Sequence, residues 1–104
     1  PGNPISSAAC FKFFVLPFIR YSLGMKNEKY LYAKLTKKYS KNKNITRFIK
    51  GIMFHNFKGS SEFKILRGQE SFRISPFINS NAWGIFENGK SVFKKGDLIR
   101  CYNQ

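Results

Sequence analysis

Residues 20–35 read RYSLGMKNEKYLYAKL, and the change of pattern inside this stretch decides the fold. As far as Leu23 the apolar residues are spaced for a helix, whereas Tyr30-Leu31-Tyr32-Ala33-Lys34-Leu35 has period two and reads as a strand. Gly24 stands at the junction, where the C-cap of a helix favours a residue free to adopt positive φ.

Upstream of the junction, Asn3 is a good N-cap and Pro4 a good first helical residue, because the N–H that proline lacks has no helical partner there. One long helix is expected from there to about Leu23. Its apolar residues (Ile5, Ala8, Ala9, Phe11, Phe14, Val15, Phe18, Ile19) exceed a single stripe, so much of its surface should face protein. Pro17 removes a backbone hydrogen bond and should kink the helix near residues 13–17. The opening PGNPISSAAC has no initiator Met and starts inside a stiff turn, so the expectation is that the chain continues a longer protein, whose upstream part supplies the helix partner.

Downstream, Ile45–Phe54 is a second β-rich run, and shorter strands are expected at Phe63–Leu66, Trp83–Phe86 and Asp97–Tyr102. The polar stretch Lys37–Asn44 reads as a connection. Turn signals fall at Gly59-Ser60-Ser61, Asn88-Gly89 and Lys95-Gly96-Asp97. The fold class expected is mainly β, a small bent sheet or partial barrel, preceded by one long N-terminal helix.

At 104 residues and 42% hydrophobic content the chain is expected to bury one modest core. The most apolar run, Phe13–Ile19, is too short to span a bilayer, so no membrane partner is expected. Cys10 and Cys101 lie outside any metal or redox spacing and fit a reducing cytoplasm. The net charge of +14 admits nucleic-acid binding, but its lysine-rich make-up beside abundant Asn, Ile and Phe reads as codon bias on a solvated surface. The alternative is a module that binds single-stranded nucleic acid through Lys26–Lys50 and exposed Tyr30 or Tyr32. It requires those rings on one open face.

The five acidic residues (Glu28, Glu62, Glu70, Glu87, Asp97) are scattered, with no spacing for a general acid/base pair or a metal cage. No catalytic residue and no metal ligand is therefore expected within the chain. His55 stands alone in a strand run, and Ser6 and Ser7 cap a helix rather than attack a carbonyl. Anion binding remains: the N–H groups of Ile5, Ser6 and Ser7 point out of the first helical turn, and Arg67-Gly68-Gln69-Glu70-Ser71 is a second candidate.

The segment PGNPISSAACFKFFVLPFIRYSLG resembles the PGNP-plus-helix segment that closes the central domain of the MoeA/gephyrin E-domain family, the molybdopterin molybdenumtransferases. Arg47-Phe48-Ile49-Lys50-Gly51-Ile52 is similar to the family's phenylalanine-x-arginine strand, and Gly68-Gln69-Glu70-Ser71 to its Gly-Gln-x-Ser turn. Ser75-Pro76-Phe77 through Trp83-Gly84, and the closing GKSVFKKGDLIRCYNQ, follow in the family's order. The resemblance implies that residues 1–25 are the last helix of a truncated catalytic domain and residues 26–104 the C-terminal β-domain, a β-clip-like fold.

It also implies an activity for the full-length protein: insertion of molybdate into adenylylated molybdopterin with magnesium-assisted release of AMP, by a cytoplasmic homodimer. The magnesium ligands would lie in the upstream domain, and the chain alone would hold no cofactor and be inactive. The site residues implied are Pro1 and Pro4, which shape the active-site loop, with Ser6, Lys50 and Ser71 for substrate oxyanions. Lys50 takes the place of the family's usual Arg, which keeps the charge without the planar fork, and Trp83 replaces a small residue or Asn in a packing role.

Overall fold

The computed structural model describes residues 4–66 and 81–103, with side chains from residue 7 onward. The helix comes in three joined pieces: α1 (Pro4–Cys10), a π-helical turn (Phe11–Val15) and α2 (Leu16–Ser22). The expected disturbance by Pro17 takes the form of this wider turn, in which the Leu16 N–H donates to the carbonyl of Phe11, five residues back. A proline ring crowds the carbonyl four residues before it, and the extra residue of a π turn gives that carbonyl room. Gly24 follows at φ 70°, the left-handed conformation expected after a helix end.

Among the described residues seven strands follow: β1 (Leu31–Leu35), β2 (Tyr39–Ser40), β3 (Arg47–His55), β4 (Ser61–Ile65), β5 (Ala82–Phe86), β6 (Val92–Phe93) and β7 (Leu98–Asn103). Five of them close a barrel in the order β1-β4-β3-β5-β7, with β1 returning to β7. Every pairing is antiparallel except β1 with β4, where Lys34 meets Glu62 and Leu35 meets Phe63. Closure removes the edges that an open sheet would leave unpaired.

Two short strands are missing from the residue-pattern reading, although the resemblance implied a strand pair in the closing segment that holds Val92–Phe93. Tyr39–Ser40 lies within the stretch expected to be a plain connection, yet it pairs with Val92–Phe93 in a separate ribbon. The rings explain why: Tyr39 and Phe93 sit 4.7 Å and 5.1 Å from Phe86, so this ribbon carries aromatic side chains onto the core. Two-residue strands have no room to show a period.

The core holds Ala33, Leu35, Ile49, Phe63, Ala82, Phe86, Phe93, Ile99 and Cys101. Phe63 is fully buried and lies against Gly51 and Gly84, where a Cβ at either glycine would collide with its ring. Strand β5 is buried at all five positions, because one face looks into the barrel and the other lies under the helix. That is why Ala82-Trp83-Gly84-Ile85-Phe86 is an unbroken apolar run rather than an alternating one.

Candidate functional site

The outer face of β3, β5 and β7 is built from cross-strand rows. Lys50 pairs with Trp83 and Trp83 with Tyr102; in the next row Phe48 pairs with Ile85 and Ile85 with Arg100. The helix lies on this face through Phe13, whose ring stacks on Phe48 at 4.7 Å and meets Trp83 and Tyr102 edge-on at 5.7 Å and 5.2 Å. Ala9 packs in the same cluster as Trp83. Trp83 is accordingly a packing residue, 2% exposed.

Lys50, in the same layer, is a charged residue with no exposed surface. Its ammonium stands 4.5 Å from the Trp83 ring centroid, a cation–π geometry that offsets part of the cost of leaving water. Burial, and secondarily the charge of Lys12, push its pKa down to about 8. It therefore remains largely a cation at neutral pH while sitting close to the range where it becomes a neutral amine.

An ion-pair cluster ties the helix to the chain that follows it. Glu28 receives Lys12 at 2.6 Å and lies 4.0 Å from Arg20, whose guanidinium also donates to Asn27 at 3.0 Å. A cleft of about 230 Å3 runs along this seam between Lys12, Glu28, Phe48, Arg100 and Tyr102. Arg100 pairs with Glu87 at 3.0 Å, and its guanidinium lies 5.3 Å from the Tyr30 ring and 5.9 Å from the Tyr102 ring. Tyr30 and Tyr32 are both exposed and meet edge-on at 5.7 Å.

Of the site residues implied by the resemblance, Lys50 is the one whose side chain is described. Pro4 and Ser6 belong to α1, Pro4 as its first residue, while Pro1 and Ser71 lie outside the described residues. His55 is exposed at the end of β3, with its Nδ1 3.2 Å from the Ser61 hydroxyl. Cys10 is an exposed free thiol and Cys101 a buried one, pushed up to about 12 by desolvation. Lys12 and Arg100 were not legible as site residues. A lysine within an apolar helix was a signal for the first; an arginine in a strand carried none for the second.

The family model described as the MoeA C-terminal region (domain IV) matches residues 32–103. The chain belongs to that family. The fold of this domain IV is also found in solved structures. The molybdopterin biosynthesis moeA protein from Pyrococcus horikoshii OT3 is similar with a TM-score of 0.84 at 22% identity, over 99% of this chain and 26% of that one. A molybdenum cofactor biosynthesis protein from Pyrococcus furiosus is similar with a TM-score of 0.80 at 19% identity, over 96% of this chain and 35% of that one. The domain IV chain thus spans about a quarter to a third of the length of these two proteins. A search of the curated proteins finds no match. Among the described residues, no helix is long and apolar enough to cross a membrane.

Proposed function

We propose that this chain is the C-terminal domain of a cytoplasmic molybdenum-insertion enzyme, which places molybdate into adenylylated molybdopterin. The observation that carries the reading is the domain IV match over residues 32–103. The two structural neighbours named for moeA and for molybdenum cofactor biosynthesis support it through their fold. Residues 1–25 would close the catalytic domain, and residues 26–104 would form one wall of its cleft.

In this reading Lys50 supplies positive charge to the wall, and Pro1, Pro4, Ser6 and Ser71 shape the oxyanion site with it. The substrates are anions and the chain carries a net charge of +14, so its field draws them in. The chain's part is binding and orientation. The magnesium of the full-length enzyme would be held by ligands of the upstream domain. The exposed Phe14, Phe18 and Leu23 on the helix would be covered by the upstream domain of the homodimer.

The test is cofactor insertion by the longer polypeptide that carries this chain, measured at limiting molybdate. Lys50→Ala should weaken molybdate or pterin-phosphate affinity roughly ten- to a hundredfold, the equivalent of a charge-assisted contact of about 1.5–3 kcal/mol. Lys50→Arg should retain most of the affinity. Unchanged affinity in a folded alanine variant would make Lys50 a packing residue only, and an intact protein that inserts no molybdenum would overturn the whole reading.

A further inference from the structure

Where β1 and β4 end side by side, a cleft of about 480 Å3 opens between the β1–β2 connection and the end of β4. That is the volume of a small-molecule site. Its base is apolar and held by the backbone. Leu35 is 2% exposed; its N–H donates to the Asp97 carbonyl and its own carbonyl accepts from the Gly96 N–H, both at 2.8 Å. The next residue, Thr36, donates its N–H to the Phe63 carbonyl at 3.1 Å. Tyr39 forms a side wall, braced on Phe86.

Leu66 and three exposed lysines, Lys37, Lys38 and Lys64, also line it, and among the described residues of the lining there is no carboxylate. The carboxylates of the described residues are engaged elsewhere: Glu28 by Lys12, Glu87 by Arg100, Asp97 by Lys90, and Glu62 by the Asn56 amide. None of the three lysines has an ion-pair partner among the described residues. Like charges gathered in a concave, partly apolar site raise the local positive potential, and an anion relieves it.

We propose that this cleft binds a small organic phosphate, with its apolar or aromatic body against Leu35, Ile65 and the Tyr39 ring and its phosphate among Lys37, Lys38 and Lys64. Lysine ammonium groups are point charges rather than flat forks, which suits a phosphate of nearly two negative charges better than a planar carboxylate. Thr36 also lines the cleft and carries a hydroxyl able to act as a neutral donor. Lys50 does not line this cleft, so the proposal stands apart from the molybdenum-insertion reading.

The experiment is an amide NMR titration of the 104-residue chain in 0.15 M salt with phenyl phosphate, inorganic phosphate and phenol. Phenyl phosphate should shift the amides of Thr36, Tyr39, Lys64 and Ile65 saturably, and bind about tenfold more tightly than inorganic phosphate or phenol alone. The triple change Lys37→Gln, Lys38→Gln, Lys64→Gln should weaken it about tenfold or more, while Lys26→Gln, Lys94→Gln, Lys95→Gln, which removes the same charge elsewhere, should leave it unchanged. Equal weakening by both triples, equal affinity for phenyl and inorganic phosphate, or no saturation below about 10 mM would each overturn the proposal. Should the first triple variant unfold, Lys64→Gln alone is compared with Lys94→Gln by the same criterion.

Discussion

Lys50 and Trp83 are direct cross-strand partners on β3 and β5, and the lysine ammonium lies 4.5 Å from the centroid of the ring beside it. Side chains opposite one another on a sheet are the unit of its stabilisation, and here one of the two is a cation without exposed surface. The pair fuses the packing of the helix-covered layer to the charge on which the proposed function rests.

Stability should therefore depend on pH through Lys50. Its folded value of about 8 lies below the ordinary 10.5, so the unfolded chain binds the extra proton between those values. Stability then rises with pH across that window, and the lysine is unfavourable when charged below it. The gap corresponds to roughly 3 kcal/mol. Urea unfolding of the wild type and of Lys50→Met from pH 7.5 to 10.5 should diverge by about that amount; parallel profiles would show that burial does not depress Lys50.

Phe63 and its two glycines provide a test of barrel packing. Gly84→Ala places a Cβ 2.7 Å from the Phe63 ring, and should destabilise by about 1–3 kcal/mol. Phe63→Leu in the same chain should recover part of that loss, since the opposing atoms belong to a side chain. Gly51→Ala should not be rescued, because its Cβ also meets the backbone carbonyl of Lys64. Equilibrium denaturation of the two double variants distinguishes the cases, and equal rescue at both glycines contradicts this geometry.

Docking of the helix is readable through the single tryptophan. Phe13→Ala removes the ring that meets Phe48, Trp83 and Tyr102, at a cost of about 2 kcal/mol for a half-buried phenylalanine. Trp83 emission should shift to the red and become open to acrylamide, and the melting temperature should fall by about 8 °C or more. An unshifted spectrum would mean that Trp83 is shielded without the helix.

The two thiols should differ sharply in reactivity. Thiolate is the reacting form, and Cys101 is 1% exposed with its thiol pushed up to about 12. Cys10 is exposed on α1. A disulfide reagent should count one thiol in the folded chain at pH 8 and two in denaturant; two fast thiols in the folded chain would show that the barrel opens at β7.

Much of this architecture was written locally. Gly24 ended a helix and began the strands, Pro17 marked the irregular turn, and the glycines at 59, 89 and 96 took positive φ where turns were expected, because each of these effects acts over a few residues of backbone. The five barrel strands were visible in apolar, β-rich runs. The PGNP segment and the motifs after it also carried the family. Closure of the barrel was not local: it depends on β1 lying parallel to β4, sequence-distant strands that meet through only two residue pairs. The ribbon of Tyr39–Ser40 and Val92–Phe93 exists because Phe86 offers a surface for their rings, which no pattern in either segment encodes. The environment of Lys50 was equally hidden. Its charge could be read from one letter, but its burial beside Trp83 and its proximity to Lys12 arise only when helix, β3 and β5 come together and exclude water from the amine.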